Sequence, residues 1–297
     1  VAVTIAFQGE PGAFSDDAAR TLVTGAQTRG FTTFDEAFAA VERGATDFAL
    51  LPVENSISGS VPRVYDLLWG SPELAIAGEI VYRVVQNLIG TPDAEIDALR
   101  EVRSHPVALE QCRRFLGAHP NVRIAVVADT AGAVREIAAL GDRSVGAIAS
   151  SLAAERYEAK VLAASIQDVD ANFTRFFLIA REGARSIARE GARSIAREGA
   201  ASIAREGAGS IAREGAPSQT PSRACVALVL ANKPGALRDA LSAFADRGLD
   251  LRTVVTRPSL DEPFTYRFYC EIASAARTDL DAALAAIAGT SRLLGYY

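Results

Sequence analysis

An eight-residue repeat cuts this chain in two. REGARSIA begins at Arg181 and restarts at Arg189, Arg197, Arg205 and Arg213, where it decays into REGAPSQTPS. Each full octad carries one Ile, at least one Gly and at least one Arg/Glu pair, so it has no continuous apolar face to bury. A Gly in every octad costs an isolated helix about 1 kcal/mol relative to Ala each time. Repeats that stack into solenoids need roughly 20 residues or more per unit. The stretch 181–222 is therefore expected to be a flexible linker grown by tandem duplication, although its Ala, Arg and Glu favour partial helix. Whatever folds must fold on either side of it.

Composition allows two folded parts. The 297 residues are 49% hydrophobic and 23% charged, enough apolar material for sizeable cores. A formal net charge of −5 argues against nucleic acid or an anionic membrane as the main partner, since both are held by clustered positive charge. Cys112, Cys225 and Cys270 lie far apart with no CxxC or HExxH spacing and read as reduced, packed thiols of a cytoplasmic protein. His105 and His119 are the only histidines. A zinc site would need mixed ligands that nothing clusters, and neither metal nor cofactor is expected. The opening VAVTIAFQGEPGAFS lacks a basic leader and reaches a Gly/Pro turn early, so it reads as a strand and not as a signal peptide. No apolar run is long enough to span a membrane.

Ahead of the repeat, short apolar runs alternate with amphipathic stretches. The pattern predicts strands at 3–7, 48–52, 76–85, 101–104, 123–127, 144–149 and 174–180, and helices at 15–23, 34–43, 61–68, 106–116, 130–140 and 150–157. Such alternation implies an α/β domain with a mostly parallel sheet. Behind the repeat the expected order is strand 224–230, helix 235–247, strand 249–257, strand 264–271, helix 280–288 and strand 291–297. That βαββαβ order is ferredoxin-like, an arrangement that does not by itself reveal a function.

Several strand ends run into helix starts carrying Ser, Thr or His-Pro: Ser15, Ser60, Ser104-His105, Thr130 and Ser150. Unpaired N–H groups and a partial positive charge at helix starts suit carboxylates, although Ser and Thr cap many helices with no ligand nearby. In LPVENSISGSVPRVYDLL, the polar Glu54, Asn55 and Ser56 directly follow an apolar strand. In NFTRFFLIA, Thr174 and Arg175 open one. Thr174 could equally be a plain strand residue and Arg175 an ion-pair partner. With no P-loop, GxGxxG fingerprint or Ser-His-Asp order, nucleotide use and triad hydrolysis lack support. The residues themselves point to an anion-binding cleft.

FQGEPGAFS, LPVENSISGSV, HPVALEQCRRFL and IQDVDANFTRF, followed by NKPGALRDALSAFADRGLDL and TRPS, resemble the prephenate dehydratases. The resemblance covers nearly everything but the repeat. It implies conversion of prephenate to phenylpyruvate with loss of water and carbon dioxide, in phenylalanine biosynthesis. It also implies a catalytic part of two α/β lobes like type II periplasmic binding proteins over 1–180, the second lobe at about 82–166. A C-terminal ACT domain that senses L-phenylalanine would occupy 223–297. By the same resemblance Thr174, Arg175 and Phe176 form the catalytic centre, with Thr174 donating a hydrogen bond to the leaving hydroxyl and Arg175 suiting a substrate carboxylate. Asn55, Ser56, Gly59, Ser60, Gln111 and Ser15 would bind substrate. Gly235, Ala236, Leu237, Arg257 and Pro258 would bind effector. The sequence departs from the family pattern at Val107, where a Gln is usual after His-Pro, and at Val255 and Thr256, where a Glu and a Ser are usual. ACT domains commonly pair, which implies a homodimer or homotetramer. Arogenate dehydration, or a non-catalytic amino-acid sensor on the same scaffold, are the rival expectations.

Overall fold

The computed structural model describes residues 2–182, 223–259, 262–273 and 275–297. The linker expectation for 181–222 therefore falls almost wholly outside the described residues.

The first stretch forms β1 (Thr4–Gln8), α1 (Phe14–Leu22), β2 (Gln27–Phe31), α2 (Phe34–Glu42), β3 (Phe48–Asn55), β4 (Gly59–Ser60), α3 (Arg63–Gly70), β5 (Leu74–Arg83), β6 (Asn87–Gly90) and β7 (Glu101–Ser104). Next come α4 (Pro106–Gln111), α5 (Arg113–Gly117), β8 (Arg123–Val126), α6 (Thr130–Leu140), β9 (Val145–Ala149), α7 (Ser151–Arg156), β10 (Lys160–Ala163) and β11 (Phe173–Arg181). The C-terminal segment adds β12 (Ala224–Leu230), α8 (Ala236–Ala245), β13 (Asp250–Pro258), β14 (Tyr266–Ala273), α9 (Arg277–Ala286) and β15 (Gly289–Tyr296). Two compact units result: Val1–Val61 with Ile80–Phe177, and Pro62–Glu79 with Leu178–Tyr297.

The first unit holds two sheets. One runs β2-β1-β3-β11, with β1 parallel to β2 and β3 and the short β4 folded back on β3. The other runs β10-β6-β9-β7-β8. There β7 is parallel to β8 and β9, while β6 and β10 are antiparallel. The sheets are thus parallel only in part, and the expectation of a mostly parallel sheet is corrected to a mixed one. Phe7, Phe38, Phe48 and Leu50 are fully buried around the first sheet, each worth about 1.5–3 kcal/mol of burial. Val134, Ile137, Ala147 and Ala149 line one face of the second sheet, and Leu88, Val102, Leu109 and Ile148 lie in a second cluster.

Local chemistry sets the ends. Thr33 and Glu36 form a reciprocal capping box at α2. Thr130 is the first residue of α6, as expected, and Asp129 ahead of it supplies the cap, its carboxylate accepting from Gly132 N at 2.6 Å; α6 stops at left-handed Gly141. Ser15 does not cap α1. The helix begins one residue earlier, and the buried Asp16 carboxylate instead accepts from Gly12 N at 2.9 Å and Arg20 Nε at 2.8 Å. Ser60 lies in β4, ahead of a helix that starts at Arg63. Ser150 does cap α7, accepting from Ala153 N. The single helix expected over 106–116 breaks at Cys112. Asp168 sets the break, donating its N–H to Gln111 O and accepting from Arg114 N.

In the second unit, β12, α8, β13, β14, α9 and β15 make a four-stranded antiparallel sheet in the order β13-β14-β12-β15. This is the ferredoxin-like βαββαβ arrangement. Val226, Leu228, Phe244, Ile272 and Leu280 fill its core. Arg257 fixes α3 to this segment by a bidentate pair to Asp66, and Tyr65 Oη donates to Glu271 at 2.6 Å. Arg292 donates to the Trp69 and Ser71 carbonyls at the end of α3. β5 lies parallel to β15 through Ile76 and Gly295. A Cβ at position 295 would meet the Ile76 Cβ at 2.5 Å, so only Gly fits that approach. These contacts explain why 62–79 groups with the C-terminal residues rather than with the rest of 1–180. Phe264, expected to open a strand, instead stands 86% exposed at φ +62, in the turn before β14.

Candidate active site

The site is built where the end of β3 meets the start of β11. Ser56 N donates to Phe173 O at 2.8 Å, and Phe173 N donates to Ser56 Oγ at 2.9 Å. Side chains alternate faces along a strand, and adjacent residues here make two separate contacts. On one face, Asn55 Nδ2 donates to Thr174 Oγ1 at 3.0 Å and to Asn172 Oδ1 at 2.9 Å. On the other, Arg175 donates to Glu54 Oε2 through Nη2 at 3.0 Å and lies 5.3 Å from the Phe177 ring. Thr174 and Arg175 therefore make these contacts on opposite faces of the strand, with Arg175 braced against Glu54. Arg175 is 13% exposed in its side chain, and so well covered a cation requires the counter-ion that Glu54 supplies.

Asn55 also closes its own turn, its Oδ1 accepting from Ile57 N and Ser58 N at 3.0 and 2.9 Å. Gly59 has φ +83, which lets the chain double back, and Gly59 and Ser60 are left exposed on the returning strand. Ser56 Oγ donates to Ala171 O at 3.0 Å, so this hydroxyl is spent on backbone. Phe176, on the Thr174 face, is 2% exposed and packs as core.

Gln111 comes to the same place from α4. Its buried Oε1 accepts from Asn172 Nδ2 at 2.9 Å and from Gln86 Nε2 at 3.1 Å, which leaves its own N–H₂ group to donate elsewhere. His105 caps α4 by accepting from Val107 N, and Val107 is itself exposed on the helix. Burial pushes the Cys112 thiol up to about 12, with the Asp168 charge adding to the shift. Ser15 is half-buried near the start of α1. In the loop ahead of that helix, Gly12 O accepts from Ser150 Oγ at 2.6 Å and Pro11 O from Tyr157 Oη at 2.9 Å.

Among the effector candidates, Gly235 precedes α8 at φ +84, Ala236 and Leu237 open that helix, and Pro258 is exposed at the end of β13. The Arg257 guanidinium is taken by Asp66, which raises its pKa above the ordinary value through that hydrogen bond.

The sequence reading missed Asn172 as a ligand to Asn55, and it missed Gln86 and Gln167 altogether. The available signal was an amide, Gln86, inside the otherwise apolar run VVQNLIG. Among the described residues, no His, Lys or carboxylate side chain hydrogen-bonds Thr174.

The prephenate dehydratase family model matches residues 5–184. The chain belongs to the prephenate dehydratase family. Among relatives in this family, arogenate dehydratase 2 of Petunia hybrida is 36% identical over 254 residues, covering 86% of this chain and 56% of that protein. The chain thus spans little more than half of that relative. Among solved structures, the prephenate dehydratase of Arthrobacter aurescens in complex with L-Phe has a TM-score of 0.78 at 26% identity, covering 99% of this chain and 89% of that one. GqqA, described as a novel type of quorum-quenching acylase, has a TM-score of 0.79 at 29% identity, covering 98% and 96%. The motifs carrying Asn55, Gln111 and Thr174 all fall inside the matched segment.

Proposed function

We propose that this chain dehydrates prephenate, releasing water and carbon dioxide and leaving phenylpyruvate. The observation that carries the reading is the direction of hydrogen bonding at Thr174. Its oxygen accepts from Asn55 Nδ2, so its own proton is available to a ligand. In the reaction the ring carboxylate departs as carbon dioxide, its bonding electrons complete the aromatic ring, and the hydroxyl leaves from the opposite carbon. The leaving oxygen gathers negative charge. A fixed donor aimed at developing charge is worth about 3 kcal/mol. Thr174 supplies that donor, Asn55 orients it, and the N–H₂ of Gln111, for which no acceptor stands among the described residues, supplies a second polar contact.

Arogenate differs from prephenate by an amino group in place of a keto group. The name of the Petunia relative makes it the rival substrate. An acylase reading has less support, because a nucleophilic Thr needs a base and the recorded partner of Thr174 is an amide N–H. For regulation, the ferredoxin-like order of the second unit and the L-Phe complex of the Arthrobacter relative support an ACT module that senses phenylalanine. We further propose a cytoplasmic homodimer or homotetramer.

Turnover of prephenate and arogenate, each with and without L-phenylalanine and beside an N-acyl amide control, tests the assignment. Phenylpyruvate formed from prephenate, without added metal or nucleotide, is the expected result. Exclusive turnover of arogenate would move the assignment to that substrate. Hydrolysis of the acyl amide alone would overturn it.

A further inference from the structure

Gln86 lies outside any contact with Thr174, in the crossover between β5 and β6, yet it stands at the far end of an unbroken chain of side-chain hydrogen bonds that ends there. Gln86 Nε2 donates to Gln111 Oε1 at 3.1 Å, and Asn172 Nδ2 donates to the same oxygen at 2.9 Å. Asn172 Oδ1 accepts from Asn55 Nδ2 at 2.9 Å, and Asn55 Nδ2 also donates to Thr174 Oγ1 at 3.0 Å.

An amide presents an acceptor at one end and two donors at the other. Each link therefore constrains its neighbours, and the Asn55 end agrees with its own turn, where Oδ1 accepts from Ile57 N and Ser58 N. Turning Gln111 over would set its N–H₂ group against those of Gln86 and Asn172. Turning Asn172 over would oppose its N–H₂ group to that of Asn55. With the chain running as observed, Thr174 is an acceptor from Asn55 and so a donor outward.

The backbone anchors Gln86 between β5 and β6. Gln86 O accepts from Ile166 N at 2.9 Å, Gln86 N donates to Gln167 Oε1 at 3.0 Å, and Val84 N donates to Asn172 O at 2.8 Å. Gln86 is 2% exposed, and its Oε1 has no hydrogen-bond partner among the described residues. If position 86 served packing alone, an apolar side chain would fill the space without a stranded acceptor. The donation to Gln111 is what an apolar residue cannot supply.

We propose that Gln86 is a positioning residue, which acts through Gln111 and Asn172 to hold Asn55 and the Thr174 hydroxyl in the donating arrangement. The proposal rests on the dehydratase reading of that site.

Two variants of the full chain test it, each read by kcat, KM, thermal midpoint and pH profile on whichever of prephenate or arogenate the wild type turns over. Gln86→Leu removes both the donor and the stranded acceptor. We expect its midpoint to hold and its KM to stay within about threefold, while kcat falls about tenfold, less than the loss of a direct donor. Gln86→Glu sets a carboxylate against Gln111 Oε1 when ionised and donates an O–H to it when protonated. Burial raises such a carboxyl's pKa, so its kcat relative to wild type should recover as pH falls. A wild type inactive on both substrates overturns the dehydratase reading and this assignment with it. An active wild type matched in kcat by Gln86→Leu overturns the assignment alone. Should Gln86→Leu not fold, the Gln86→Glu profile decides: a ratio to wild type that stays flat with pH overturns the proposal, and acid recovery supports it.

Discussion

Thr174→Val separates a hydroxyl that does chemistry from one that holds the strand. Two hydrogens on Asn55 Nδ2 face three acceptors: Asn172 Oδ1 at 2.9 Å, Thr174 Oγ1 at 3.0 Å and Phe173 O at 3.2 Å. Deleting the Thr174 oxygen still leaves one acceptor for each hydrogen, so no buried donor is stranded. Valine has nearly the same shape and suits a strand. Stability should therefore change by less than about 1 kcal/mol. The chemical cost is of a different size, since a lost donor to the leaving oxygen lowers kcat about 10²–10³-fold, or about 3–4 kcal/mol. Phenylpyruvate formation at saturating prephenate gives kcat, and urea unfolding of the same preparation gives stability. Thr174→Ser, which keeps the hydroxyl, should retain most of the rate. A valine variant with native stability and kcat within threefold of wild type would refute the donor role.

Other perturbations read the scaffold. Gly12 has φ +93, and a Cβ there would lie 2.9 Å from Ala153 Cα, so Gly12→Ala should cost about 2 kcal/mol in urea unfolding; an unchanged midpoint would show that the loop yields. Asp66 is 14% exposed in its side chain and Arg257 34%, so Arg257→Ala, which strands the better-covered charge, should destabilise more than Asp66→Ala, by about 1 kcal/mol. The reverse order, measured by the same unfolding, would contradict that account. All three cysteines are buried and outside any disulfide, and burial pushes the Cys112 and Cys270 thiols up to about 12. A thiol-reactive disulfide dye at pH 8 should titrate almost none of them in the folded protein and all of them in denaturant.

The polar ends of β3 and β11 were visible in the sequence because Glu54-Asn55-Ser56 and Asn172-Thr174-Arg175 interrupt apolar runs. The division of labour between Thr174 and Arg175 was also implicit there, since neighbours on a strand face opposite ways. It becomes plain only once Asn55 and Glu54 are seen opposite them. Strand β2, QTRGF, escaped notice because at the sheet edge it carries none of the apolar alternation that marks a half-buried strand. The break at Cys112 could not be read locally, because Asp168, far along the chain, sets it. Gln86 was hidden for a similar reason: its meaning lies in its partners Gln111 and Gln167, distant in sequence and close in space.

The amide chain from Gln86 to Thr174 has one more implication. Amides and a threonine hydroxyl neither gain nor lose protons between about pH 4 and 10. Their polarity is settled by counting donors against acceptors, with no charge to be titrated away or screened. A donor held by such a relay keeps its direction across that range of pH and at any ionic strength, so the part of the rate that depends on that donor should not vary with either.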